Sequence, residues 1–270
     1  MRRAWRPSRF LLGSIGCHAA SAVALAAAPA TWPVVASVLV VNHAVIAGAS
    51  VWPRSRLLGP NLSRLPEAAA RRGQVALTFD DGPDPEVTPR VLDRLDAAGA
   101  RATFFCIGRR VLDHPDLAAE IVRRGHRLEN HTHTHPHSFS LYSSARVRRE
   151  IADAQEAIES AAGRAPRLFR APAGIRGILL DRELGRAGLA LASWTRRGYD
   201  TVSREPRRVA RRLLRDLAAG DVLLLHDGSV ARDRHGVPVV LEALPRVLDA
   251  LAARGLSAVT LDAATEESAA

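Results

Sequence analysis

Two long apolar stretches open the chain, and short apolar runs then alternate with helix-patterned segments to its end. Residues 10–30 are rich in Ala and Leu, Thr31-Trp32-Pro33 interrupts, and residues 34–52 form a second apolar run of about membrane-spanning length. Arg2, Arg3, Arg6 and Arg9 precede the pair, and Arg54 and Arg56 follow it. The pattern predicts an apolar helical hairpin over residues 1–56 that anchors the chain in a membrane, with the arginine-rich ends and the domain beyond them on the cytoplasmic side. Two other readings stay open. Ala28-Pro29-Ala30 fits the small-x-small site of a cleaved signal peptide. His18, Asn42 and His43 weaken both spans, which suits a position in the bilayer interface. Residues 57–72, with Pro60, Pro66 and a turn at Leu57-Leu58-Gly59-Pro60, read as a linker.

Beyond the linker, apolar runs predict strands at 75–79, 102–107, 127–129, 167–170, 189–194, 221–225 and 258–261. Helical spacing predicts helices at 86–98, 115–124, 144–161, 177–186, 206–219 and 237–253; Leu241, Leu244, Val247, Leu248 and Leu251 show the period in the last. Gly99, Gly125, Gly163, Gly188, Gly220 and Gly255 follow these helices, where carboxyl-terminal caps stand. Strand–helix units repeated over residues 73–262 imply a parallel sheet, open or closed into a barrel. Right-handed crossovers then put every strand's carboxyl end on one face. Residues 263–270 read as a disordered tail.

Length and composition, 270 residues with 47 % hydrophobic, suit one large domain and a small appendage. The net charge of +10 invites a polyanion partner. However, seven arginines and no acidic residue precede Glu67, so the excess lies beside the apolar segments. With no stacking-aromatic pattern in the body, a nucleic-acid partner is not expected. Cys17 and Cys106 make neither a disulfide framework nor a Cys-x-x-Cys metal pair.

The predicted strand at 75–79 ends in Asp80-Asp81-Gly82-Pro83. Two adjacent carboxylates repel in a confined site unless a cation or an arginine lies between them, although the same four residues also suit a plain turn. The third strand runs into Glu129-Asn-His-Thr-His-Thr-His-Pro-His137. His131 and His135 are four apart, so one helical turn would align their rings. With Asp81 they make a three-ligand set of the catalytic zinc kind; the alternative is a solvated polar loop. His133 and His137 are not expected to be ligands. Arg170 closes the fourth strand, where it can hold Asp80 ionised, or it is one more surface arginine. His226 ends the sixth strand after buried leucines and can act as a general acid if a carboxylate raises its pKa. Asp200 is the better candidate for that carboxylate, and Asp227 is expected to point away.

Together these residues resemble the polysaccharide deacetylase family, the NodB homology domain of carbohydrate esterase family 4. Thr78-Phe-Asp-Asp-Gly-Pro83 matches the first motif, His131-Thr-x-x-His135 the second and Arg170-x-Pro-x-Gly174 the third. Trp194 with Asp200 matches a looser fourth, and Leu224-x-His226 the fifth. The resemblance implies a distorted (β/α) barrel of about seven strands over residues 73–262, and a divalent metal, most commonly zinc. It implies Asp81, His131 and His135 as metal ligands, Asp80 as base and His226 as acid. It further implies that Arg170 orients Asp80, that Asp200 tunes His226, and that Pro172, Ala173, Trp194 and Leu224 line the substrate pocket. The implied reaction is hydrolysis of an N-acyl group on the amino sugar of a glycan or a lipid-linked sugar. Ala173 departs from the pattern, because the third motif often carries an aromatic residue there.

Overall fold

The structure, a computed structural model, describes residues 5–266. The chain runs α1 (Arg9–Ala27), α2 (Trp32–Val51), α3 (Glu67–Arg71), β1 (Gln74–Asp80), α4 (Thr88–Ala97) and β2 (Ala102–Cys106). It continues α5 (Gly108–Asp113), α6 (Pro115–Arg123), β3 (Arg127–Asn130), α7 (Ser144–Ala162), β4 (Leu168–Phe169) and α8 (Leu180–Ala187). It ends β5 (Ala190–Leu191), β6 (Arg196–Arg197), α9 (Pro206–Leu214), β7 (Val222–His226), α10 (Val240–Ala253), β8 (Ser257–Val259) and α11 (Leu261–Glu266).

All strand pairs are parallel, in the order β5-β4-β3-β2-β1-β7-β6, with β8 beside the lower half of β1. Of the predicted strand at 189–194 only Ala190–Leu191 (β5) is a strand, and a second, unexpected short strand, β6, follows at Arg196–Arg197 on the opposite edge of this sheet. β5 pairs with β4, β6 pairs with β7, and four residues join them. The barrel therefore closes through one chain segment rather than a continuous ladder. Residues 62–65 patch the seam: Leu62 bridges Ala192 and Arg64 bridges Asp221. Part of the expected linker is thus built into the barrel, and α3 lies in it.

Side chains alternate across each strand. Val75, Leu77 and Phe79 of β1, with Leu223 and Leu225 of β7, face outward into a core under the helices, with Val91 and Leu95 of α4 and Leu244 and Val247 of α10. Ala76, Phe105, Leu168, Val222 and Leu224 face inward, where Leu261 of α11 and Ala69 of α3 fill the interior. The same alternation carries Thr78, Asp80 and His226 to the inner face at the carboxyl ends. Asp80 and His226 are register partners there, on strands roughly 5 Å apart.

Several expected helix bounds shift. Asp84 accepts from Glu86 N and Val87 N through Oδ1, a turn that delays α4 to Thr88. The tail expected to be disordered from residue 263 instead continues α11 to Glu266; residues 267–270 lie outside the described residues. In the amino-terminal hairpin the break falls at Ala28, and residues 29–31 form a single 3-10 turn. Helix Arg9–Ala27 and the segment Pro29–Val51 are each long and apolar enough to cross a membrane.

Candidate active site

The site is assembled on the inner edge of β1. Arg170, 1 % exposed, follows β4 and reaches across the barrel mouth. Its Nη1 donates to Asp80 Oδ1 at 2.6 Å and to Thr78 Oγ1 at 2.9 Å, and Nη2 donates to the Ser193 carbonyl at 3.0 Å. Its guanidinium lies 4.0 Å from the Phe105 ring centre. Burial draws the Arg170 pKa down against the pull of Asp80, but a guanidinium stays charged at neutral pH. Asp80 is therefore held by a buried, oriented cation.

Asp81 turns away from the strand direction with φ of 73°, stabilised from behind by Arg110, which donates to its carbonyl at 2.9 Å. Its carboxylate meets two histidines. Asp81 Oδ1 lies 3.4 Å from His131 Nε2 and 3.3 Å from His135 Nε2. His131 uses Nδ1 on the Arg170 carbonyl at 2.9 Å, which leaves Nε2 as the free nitrogen. The helical-turn explanation for the His131–His135 spacing is wrong, since the two stand in a non-helical loop. Positive φ at Thr132 (65°) and His135 (52°) folds that loop back on itself, and the ring centres come within 4.9 Å. Sequence reasoning also missed what grips the loop. Glu150 of α7 accepts from His133 N, Thr134 N and Thr134 Oγ1, and Asn130 Oδ1 accepts from Thr132 N. Nothing in the sequence marks Glu150 among the other charges of α7.

These three residues fit a metal. Asp81 Oδ1 is a buried acceptor with no hydrogen-bond donor. One ligand atom from each of the three residues can be chosen so that all lie within 4.8 Å of one another. Two ligands at about 2.0–2.2 Å from a tetrahedral zinc stand about 3.3–3.6 Å apart, the spacing seen around Asp81 Oδ1. Burial would raise the Asp81 pKa, but His131, His226 and His135 hold it well below the usual carboxylate range. His135 drops to about 4 through burial and the neighbouring His131, whereas Asp80 and Asp81 raise His131 against its own burial. A cation must displace that proton, so acid weakens its binding.

His226 stands on the other flank. Its Nδ1 bonds Asp200 Oδ1 at 2.9 Å, and its backbone N–H donates to Asp200 Oδ2 at 2.7 Å. Nε2 is thus the nitrogen left for a substrate. Burial lowers the His226 pKa, but Asp200, with Asp80 and Asp81 beyond it, raises it to about 9. Asp227 lies behind the site, accepting from Thr88 Oγ1 at 2.6 Å, and burial pushes its pKa up to about 7.

The predicted lining residues are placed unevenly. Ala173 is exposed at the rim with φ of 54°, and the turn bonds around it run from Gly174 N and Ile175 N, leaving its own N–H out. Pro172 is buried beneath it. Trp194, 6 % exposed, packs with Leu224, 1 % exposed, in the interior cluster, so Leu224 lies beneath the mouth rather than at its surface. Gly174 has φ of +72°, and a Cβ there would stand 2.3 Å from the Trp194 ring. Gly174→Ala is therefore expected to destabilise the fold by at least about 1 kcal/mol and to lower activity by displacing Trp194; thermal melting and a rate assay read both.

The chain's similarities to known proteins point the same way. The family model described as polysaccharide deacetylase matches residues 67–192. The peptidoglycan-N-acetylglucosamine deacetylase of Bacillus cereus is 34 % identical over 189 residues, 69 % of this chain and 85 % of that one. A chitooligosaccharide deacetylase of Bradyrhizobium is 41 % identical over 155 residues, 57 % of this chain and 70 % of that one. The crystal structure of a carbohydrate esterase family 4 pseudoenzyme from Bacillus anthracis superposes with a TM-score of 0.67 at 25 % identity, covering 75 % of this chain and 68 % of that one.

Proposed function

The chain belongs to the polysaccharide deacetylase family, and from that premise we propose that it is a hydrolase removing the N-acetyl group from N-acetylglucosamine units of a glycan. The observation that carries this reading is the convergence of Asp81, His131 and His135 beside the Arg170–Asp80 pair and opposite His226. Asp81, His131 and His135 would hold the divalent ion, zinc by their donor set, which supplies Lewis acidity toward an acyl oxygen and a water. Asp80, its Oδ1 fixed by Arg170, takes the proton of the attacking water on its other oxygen. The Ala173 N–H would donate to the developing oxyanion. His226 Nε2 protonates the leaving amine, its ring fixed by Asp200.

Asp200→Asn tests this last role. Without the Asp200 charge, burial governs His226 and its pKa falls from about 9. The acid form is then lost at lower pH, so the alkaline limb of the rate profile moves to lower pH; an unmoved limb contradicts the assignment.

The substrate's carrier follows from the hairpin. An inserted α1–α2 pair with arginines at its base suits a domain on the cytoplasmic side, working on a lipid-linked amino sugar. A reporter fused to the carboxyl end tests the side, and periplasmic activity would defeat it. The pseudoenzyme neighbour gives a second reading, a carbohydrate-binding protein on an inactive scaffold. Here every ligand and acid–base position is filled, which favours catalysis. Mass spectrometry of acetylated chitooligosaccharide incubated with purified, zinc-loaded protein decides: loss of acetyl groups supports hydrolysis, and bound metal with intact substrate supports the scaffold reading.

A further inference from the structure

Two loops that carry the site also carry exposed apolar side chains. Past the His131–His135 loop, Leu141 is 86 % exposed; past Ala173, Ile178 is 47 % and Leu179 36 % exposed. The loops touch, since a Cβ on Gly177 would stand 2.3 Å from the Ser140 carbonyl oxygen. Ile178 and Leu179 also face the hairpin across a groove of 470 Å³ walled by Ile15 and His18 of α1 and His43 and Ile46 of α2.

The hairpin is fastened at the same place. Arg176 N–H donates to the Ser50 carbonyl in the last turn of α2 at 3.2 Å, and its guanidinium donates to the Ser55 carbonyl at 2.7 Å. The Trp5 indole donates to Asp181 Oδ2 at the start of α8 at 2.9 Å. Ala173 is three residues from Arg176, so at most about 11 Å of backbone separates the rim of the site from the base of the hairpin. Most of the hairpin's own surface is exposed apolar side chain, including Val23, Trp32, Val34 and Val40, an area too large to face water by itself. Arg6, Arg9, Arg54 and Arg56 stand at its base, where anionic headgroups would lie.

We infer that Leu141, Ile178 and Leu179 seat on the lipid bilayer beside the hairpin, so that the catalytic mouth opens at headgroup level. The inference rests on insertion of α1 and α2. It does not depend on which bond the enzyme cuts.

Depth-dependent quenching tests it with the full chain in liposomes of phosphatidylethanolamine and phosphatidylglycerol. A fluorophore is placed by Leu179→Cys in a Cys17→Ser background, Cys106 being buried. Labels at Val40→Cys in α2 and at the exposed Ala252→Cys of α10 serve as references. Headgroup-nitroxide lipids are expected to remove about half the Leu179 emission and leave the Ala252 label bright, while acyl-chain nitroxides quench Val40. A bright Leu179 label beside a quenched Val40 label overturns the docking and leaves the anchor. Bright labels at both overturn insertion as well. Concentration-dependent cross-links between Leu179→Cys copies, without quenching, mean that a second copy covers the surface, and also overturn it. The double variant Ile178→Ser with Leu179→Ser is expected to keep hydrolysis of soluble chitooligosaccharide. Moved to Leu141→Cys in that variant, the label loses most of its quenching; undiminished quenching contradicts the role of these side chains.

Discussion

Asp81→Ala, or exhaustive chelation of the native protein, is expected to abolish hydrolysis and to lower zinc affinity by more than about 100-fold, because outer partners of a metal ligand alone are worth about 10–100-fold. Three features set the size of the effect. Asp81 is the one acidic member of the Asp81–His131–His135 group, it is 6 % exposed, and its Oδ1 stands within 3.4 Å of both imidazole nitrogens. Its removal leaves two imidazoles, held in a loop that Thr132 and Glu150 shape rather than on a helix. The fold is expected to survive, because the inner cluster of Trp194, Leu224 and Leu261 and the outer core do not include Asp81. Metal titration with a parallel melting curve reads both parts. Full activity in Asp81→Ala, or in the chelated protein, contradicts the metal assignment.

Asp80→Asn is expected to reduce kcat by about 10²–10⁴-fold, the usual worth of a positioned base, while zinc stays bound. The amide keeps an oxygen for Arg170 but cannot take a proton from water. The contrast with Asp81→Ala is the informative part: neighbouring residues, one losing chemistry with metal retained, the other losing both. Stability falls as well, since Arg170 is 1 % exposed and its charge loses its counterion. Removing one partner of a buried pair costs about 3–5 kcal/mol, and the amide should keep the loss below that. Turnover and zinc content measured on the same preparation check it, and comparable turnover contradicts the role of Asp80 as base.

Much of this arrangement is legible in the residues. The apolar run before Asp80 marks a buried strand, and parallel topology sends Asp80, Arg170 and His226 to one face. Strand alternation then sets Asp80 and His226 side by side on the inner surface. What stays hidden has physical causes. The strand expected at 189–194 shrinks to β5, and β6 follows it unannounced, because the seam of the barrel must bend between them and hydrophobicity does not record a bend. Helix α3 hides among alanines and arginines in a Pro-flanked stretch that reads as a linker, and α11 lies where composition suggests a tail. The His131–His135 spacing picks out two rings that do converge, but not by the helical turn it suggests. Four residues would align them on a helix, whereas positive φ at Thr132 and His135 brings them together in a loop. Glu150, which grips that loop, is silent in sequence because a charged residue on a helix is ordinary.

The most direct measurement is the anomalous difference map of a crystal soaked in zinc. A single strong peak is expected between Asp81 Oδ1, His131 Nε2 and His135 Nε2, at about 2.0–2.2 Å from each, with Asp80 and His226 flanking it. Zinc bound instead at His133 and His137, or no peak at saturating zinc, would contradict the account.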